Sequence, residues 1–329
     1  MRILTLNSHQ PYIYDLAQIS GIELLVVDRI PGRERDKWDE AVRPLPDNAQ
    51  LLALNTALAR PPACDVFVAH NLTDLSMIKT LSLPSVLMIH SSLDRLLTTQ
   101  ETSYSREDIH RILQAYITLK HVVVTAVSTM KANSWGITDC PIVPFYTDTD
   151  FFQGYHGSNP QGLRVTNHLV EKGAALNLEF FSSLIEGIDV RVVGLNPRLG
   201  TQPAASREEL LQLYQSQRYY IHTAVEDMED GYNMASLEAM ATGMPIVCNQ
   251  HSTAPITDGK NGFMASDLAY LREKIHSLEE NLDLAMQLGS EARKYVLENH
   301  SRAQFESKWR DILDLAIDRF KQETPFQPS

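Results

Sequence analysis

Short, almost uninterrupted apolar runs alternate with longer stretches of helical spacing along most of this chain. That rhythm constrains the fold more than any other feature. Arg2–Leu6, Glu23–Val27, 65–69, Ser85–Ile89 and 122–127 read as strands in the first half. Apolar spacing predicts a helix over Ala49–Ala59, and another over 106–119 between the last two strands. Strands that are apolar on both faces belong to parallel sheets covered by helices on each side. The second half repeats the pattern. Strands are predicted over 163–166, 189–193, 219–223 and 246–248, and helices over 173–184, 207–215 and Met234–Thr242. Residues 267–320 read as helix with a break near His300–Ser301. Between the halves, Pro141, Pro144, Gly154, Gly157, Pro160 and Gly162 mark a linker around 140–162. The predicted fold class is α/β, with two Rossmann-like doubly wound domains facing a central cleft. A ligand belongs at the carboxyl ends of such sheets.

At 329 residues the length suits two domains. The formal net charge of −12 argues against a duplex-binding surface, so no nucleic-acid partner is expected. Cys64, Cys140 and Cys248 lie far apart and make neither a disulfide framework nor a CxxC metal site, which fits a reducing compartment. There is no basic segment followed by a long apolar run at the N-terminus, and no apolar run approaches the roughly 20 residues of a membrane helix. The expected location is cytoplasmic, with peripheral contact at the inner face of the membrane left open. The charged stretch with Arg33, Glu34, Arg35, Asp36 and Lys37 reads as a solvated loop without chemistry.

The most informative stretch is Glu226-Asp-Met-Glu-Asp-Gly-Tyr-Asn-Met-Ala-Ser-Leu-Glu-Ala-Met-Ala-Thr-Gly-Met-Pro-Ile-Val-Cys248. It combines a strand end, an acidic loop, a glycine turn and a helix start. Gly231, Tyr232, Asn233 and Met234 fall where a helix directs its unpaired N–H groups, a ready anion site. Glu238 lies about 6 Å further along the helix at 1.5 Å per residue. Asp230 is placed to meet sugar hydroxyls, the helix terminus a diphosphate, and Glu238 ribose hydroxyls. The plainer reading is an acidic first turn that stabilises a helix dipole. The carboxylates Glu226, Asp227, Glu229 and Asp230 could alternatively hold Mg²⁺ or Mn²⁺.

These residues resemble the Glu-x7-Glu motif of retaining GT-B glycosyltransferases, family 4 in particular. Asp230-Gly231-Tyr232-Asn233 is similar to the family's Glu-Gly-Phe-Gly. Leu237-Glu238-Ala239-Met240-Ala241 and Gly243-Met244-Pro245-Ile246 match its next two segments. Asp258-Gly-Lys-Asn-Gly-Phe263 resembles a downstream turn, Val170-Glu-Lys-Gly173 the Glu-Lys-Gly segment, and Val192-Val-Gly194 the strand and turn that follow it. Strands ending in His70 and His90 resemble two in the family's first domain. The resemblance implies domains over 1–150 (acceptor side) and 151–302 (nucleotide sugar), with 303–329 crossing back to the first. It implies sugar transfer from a nucleotide-diphosphate sugar to an acceptor hydroxyl with retained configuration. No cofactor or metal is expected; the partners are the nucleotide sugar and a glycan, lipid-linked or small-molecule acceptor. Catalytic roles fall on Asp230, Lys172 and His90, and donor binding on Glu238, Gly231, Tyr232, Asn233, Met234, Asn167 and Gly194. His70 reads as structural. Three departures stand out: Asp230 replaces the motif's leading Glu, Asn167 the family's Arg, and Asn233 its second Gly. They motivate an alternative, a catalytically weak accessory or glycan-binding subunit. An epimerase of related architecture fits the two-domain pattern but not residues 230–263.

Overall fold

The computed structural model describes residues 1–30, 32–33, 37–59 and 62–323. Glu34, Arg35 and Asp36 of the charged loop lie outside the described residues. The chain divides into two compact units. One comprises Met1–Ser91, Ser103–Pro144 and the chain from Arg302 on; the other comprises Ser92–Thr102 and Phe145–Ser301.

The first unit contains strands β1 (Arg2–Leu6), β2 (Glu23–Asp28), β3 (Ala49–Ala53), β4 (Val66–Ala69), β5 (Ser85–Ile89) and β6 (Val123–Ala126). They form one sheet of order β3-β2-β1-β4-β5-β6, parallel throughout. Its interior strands are closed on both faces, as the apolar runs predict: Ile3, Leu4, Val66, Phe67 and Val68 have no exposure. Helices α1 (Gln10–Ala17), α2 (Leu54–Ala59), α3 (Leu72–Met77) and α5 (Arg106–Lys120) lie between them, α6 (Thr129–Ser134) follows β6, and α12 (Arg302–Glu323) packs on this unit. Trp309 of α12, fully buried, donates from Nε1 to Tyr12 Oη at 3.1 Å.

The helix expected over Ala49–Ala59 is corrected in its first half. Ala49–Ala53 pairs with Leu24–Asp28 as an edge strand, and helix begins at Leu54. An edge strand half-open to solvent carries no apolar alternation, so neighbouring backbone groups decide its conformation. Arg33, expected in a solvated loop, reaches buried Asp74 at 2.5 Å. Asp74 also accepts from Ser8 Oγ and the His70 backbone N–H.

The second unit has a five-stranded parallel sheet of order β11-β10-β9-β7-β8. Its strands are β7 (Asn159–Val165), β8 (Val190–Val193), β9 (Gln217–His222), β10 (Ile246–Asn249) and β11 (Gly262–Ala265). Helices α4 (Leu93–Thr98), α7 (Leu178–Leu184), α8 (Arg207–Ser216), α9 (Met234–Thr242), α10 (Leu268–Glu280) and α11 (Leu282–Asn299) complete it. Phe181, Tyr219, Ile221, Val247 and Leu271 form part of its core. The helix expected over 173–184 is shorter. Residues before Leu178 fold into tight turns, and Asn177 in the left-handed region (φ 51°) delays the helix start. Among the described residues no helix is long and apolar enough to cross a membrane.

Candidate functional site

In the second unit, the carboxyl ends of β7, β9 and β10 gather the motif residues. α9 spans Met234–Thr242, as its sequence predicts. Asn233 caps it: Asn233 Oδ1 accepts from Ser236 N, and Ser236 Oγ accepts from Asn233 N, both at 2.8 Å. Such a box closes two of the donors a helix start leaves open. Gly243 ends the helix at φ 103°, a conformation that favours glycine. The Gly231 N–H, expected to point outward, instead donates to Thr253 Oγ1 at 2.8 Å. Among the described residues nothing accepts from the N–H of Met234 or Ala235, so the helix's anion-binding capacity resides there.

The loop ahead of α9 is tied down residue by residue. The Asn249 side chain exchanges two bonds of 2.9 Å with the Ala224 backbone. Val225 N donates to Ala175 O, joining the loop to the turn that carries Lys172. Glu226 accepts from Ser252 N and Oγ. Glu229 lies 3.9 Å from Arg95 of α4, while Ser92 Oγ donates to Met228 O. The sequence reading assigned neither Arg95 nor Ser92; their signal is a Ser-x-x-Arg cap after a strand, which carries no chemistry by itself.

Asp230, the expected sugar contact, has no solvent exposure. Its carbonyl accepts from His222 Nε2 at 3.2 Å. Burial, reinforced by the charge of Arg164, pulls His222 down to about 3 and keeps it neutral. Glu238 is also buried, with Tyr214 Oη donating to one oxygen at 3.2 Å. Tyr232 packs edge-on to Phe145 and His300. Lys172 is half-buried on its turn, whose backbone closes through Lys172 N to His168 O.

Asn167 and Gly194 have a structural partnership. Asn167 Oδ1 accepts from Leu195 N at 2.7 Å, and a Cβ on Gly194 (φ 134°) would stand 2.0 Å from Thr166 O. The two chain segments therefore touch backbone to backbone, which only glycine permits.

Arg164 of β7, with His168, is a candidate to replace the cation missing at Asn167 in the sequence, although its spacing does not assign it to the site. It is 2% exposed, beside Phe181 with 4.5 Å from its guanidinium carbon to the ring centroid. Nη1 donates to Thr223 Oγ1 at 2.8 Å, and burial lowers its pKa to about 10, still charged at neutral pH.

His90 lies in the first unit, at the end of β5. Its Nε2 is 2.8 Å from Nδ1 of His70, at the end of β4. The His9 ring stacks on His90 at 4.3 Å, and Tyr12 meets it edge-on. Burial, with Arg33 nearby, lowers His70 to about 3; burial with His9, His70 and Lys131 holds His90 well below its usual value. His70, read as structural, is thus the direct partner of His90. Among the described residues no three His, Cys, Asp or Glu side chains are grouped to hold a metal ion.

Residues 175–311 match a family model described as glycosyl transferase-like. No curated protein matches the chain. Among solved structures, a TarM variant of S. aureus, in complex with fondaparinux, alpha-GlcNAc-glycerol and UDP, is 13% identical with a TM-score of 0.57. That alignment covers 76% of this chain and 55% of TarM, so the chain spans about half of that protein's length. HepE of Anabaena in complex with UDP-glucose is 13% identical over 95% of this chain and 99% of its own, with a TM-score of 0.67. WaaG, described as a glycosyltransferase involved in lipopolysaccharide biosynthesis, is 14% identical over 99% of this chain and all of its own, with a TM-score of 0.58. At such identities the likeness is one of fold. The chain has the two-domain α/β fold of the GT-B glycosyltransferases, and its residues 175–311 match a model described as glycosyl transferase-like.

Proposed function

We propose that this protein is a retaining, metal-independent glycosyltransferase that moves a sugar from a nucleoside-diphosphate sugar to an acceptor hydroxyl. The observation that carries the reading is the capped start of α9 at the carboxyl edge of the second sheet. It offers the Met234 and Ala235 N–H groups within the stretch that matches the glycosyl transferase-like model. An anion at that point meets oriented dipoles and needs no metal for a first share of neutralisation. Lys172, on a turn bonded to the same loop through Val225 and Ala175, supplies a cation. Of the four carboxylates in the alternative metal reading, Glu226 is engaged by Ser252 and Glu229 by Arg95.

In this reading the diphosphate leaves from the α9 terminus and Lys172. A phosphate oxygen of the donor takes the acceptor proton, so no carboxylate base is required. Positioning and fixed charge then do most of the catalysis. Asp230, closed from solvent, acts by shaping the loop that holds the sugar, and Glu238 lies ready for the ribose. His90 is assigned a catalytic role, with the His70 bond fixing its ring. Acceptor binding is assigned to the first domain. The UDP and UDP-glucose complexes of HepE make uridine nucleotides the first donors to test.

A second reading, an accessory subunit of low activity, is favoured by the same closure of Asp230 and by the Gly231 N–H being held by Thr253. The two are separated by incubating the protein with UDP-, GDP- and ADP-sugars and an acceptor panel, then reading the anomeric proton of the product by NMR. Transfer with the donor's configuration supports the first reading. Inverted product refutes retention, and nucleotide binding without turnover favours the accessory subunit.

A further inference from the structure

Arg164 is anomalous among the buried arginines of its unit. Arg207 pairs with Asp148 at 3.0 Å. Arg218 donates to the carbonyls of Gly157, Leu278 and Glu279. Arg95 has Glu101 and Glu229 within 4.0 Å. Arg164 is more deeply buried than any of these, at 2% exposure, yet its hydrogen bonds run to one neutral residue, through Thr223 Oγ1 and, at 3.4 Å, Thr223 O. Its Nε is buried without a hydrogen-bond partner, as are the Nε atoms of Arg95 and Arg207, but unlike those two side chains it has no carboxylate paired with it among the described residues. The adjoining strand position is the fully buried Leu163. A lone guanidinium in such a core carries a large desolvation cost that neither Thr223 nor the Phe181 ring offsets.

Its surroundings indicate which countercharge is missing. Thr223 closes β9 and opens the loop to α9. The Thr223 hydroxyl that receives Arg164 donates onward to Leu176 O, at the end of the Lys172 turn. The guanidinium therefore underlies the junction between the Lys172 turn and the motif loop. Asn167, which stands where the resembling family has an Arg, uses its side-chain carbonyl to hold Leu195 N.

We infer that Arg164 is a buried countercharge for the donor's diphosphate, acting through its field from beneath the site and not by contact. This rests on the proposed nucleotide-sugar reading and names the residue that supplies its second positive charge. A permanent charge in a low-dielectric layer is screened little by salt, so it acts across several ångströms. It also stays in place when the diphosphate leaves, and it holds the Thr223 hydroxyl that spans the two loops.

Isothermal titration with UDP and with uridine tests this on three proteins: the unaltered chain, Arg164→Met and Arg164→Lys. Methionine keeps an apolar stem over Phe181 and removes the charge; lysine keeps the charge. Arg164→Met should weaken UDP about tenfold while leaving uridine within about twofold. Arg164→Lys should keep the UDP-to-uridine ratio within about threefold of the unaltered protein. Equal losses for both ligands in Arg164→Met would assign Arg164 a structural role only and overturn the inference. Should Arg164→Met fail to fold, a folded Arg164→Lys that loses the ratio tenfold overturns it equally. If the unaltered protein binds uridine and UDP with equal affinity, Arg164 has no diphosphate to serve and the inference fails. Absence of all nucleotide binding would overturn the functional reading along with it.

Discussion

Gly231→Ala is a direct structural test of the motif loop, because its magnitude follows from distances. A Cβ at Gly231 would lie 2.7 Å from Ala254 N and 2.8 Å from both Cα and Cβ of Ala254. Two of these contacts are backbone and the third is a Cβ fixed to it, so relief requires moving the 251–254 segment by most of an ångström. Overpacking of this kind costs about 1–3 kcal/mol. The shift also strains the 2.8 Å bond from Gly231 N to Thr253 Oγ1, adding about 1 kcal/mol. The sum is about 3 kcal/mol. For a unit of this size, about 2–4 °C of Tm is lost per kcal/mol, so the second unit's calorimetric transition should fall by about 6–12 °C. UDP affinity should fall too, since the displaced loop precedes α9. A variant whose transition moves by less than about 1 °C would refute the close approach, and with it the placement of Thr253 against the glycine turn.

Three further outcomes follow. Glu238→Gln should raise KM for the donor with little change in kcat, because ribose is held alike in ground and transition states, whereas Asp230→Asn, which loosens the loop that holds the sugar, should lower kcat by about 10²-fold; full kcat in Asp230→Asn would remove Asp230 from that role. Transfer should survive excess chelator, and activity lost on chelation and restored by Mn²⁺ would contradict metal independence. His222 stays neutral in the fold down to about 3 but takes a proton in the unfolded chain below about 6.5. Between those values the unfolded state binds more protons, so stability falls as pH falls. His222→Asn should therefore flatten the loss of second-unit Tm from pH 6.5 to 4, and an unchanged slope would show that other groups dominate.

Local signals made much of the second unit readable. Met234–Thr242 was legible to the residue because an asparagine cap and a terminal glycine bracket it and a proline follows. Interior strands were legible because burial on both faces leaves no alternative to apolar residues. β3 was not, since edge pairing with β2 overrides a weak helical spacing. α1 was also missed: Gln10–Ala17 begins with Pro11 in its first turn and few of the usual capping residues, and its burial is set by the unit around it. The candidate site could be nominated from sequence where chemistry and spacing coincide, at Lys172, Asp230 and Glu238, and the structure joins the Lys172 turn to the motif loop through Val225 N and Ala175 O. What was not readable depends on through-space partners. Nothing near Gly231 in sequence announces Thr253, nothing near His90 announces His70, and a single arginine in the apolar run of β7 does not reveal that it lacks a carboxylate.

The measurement that bears most directly on the central claim is the affinity of the intact protein for UDP compared with uridine, read by isothermal titration without divalent metal. The α9 terminus and the cation of Lys172 predict saturable binding of UDP, weaker binding of uridine, and a Lys172→Ala variant in which that difference shrinks. Equal affinities for UDP and uridine, or a difference that Lys172→Ala leaves intact, would contradict a diphosphate site at the start of α9.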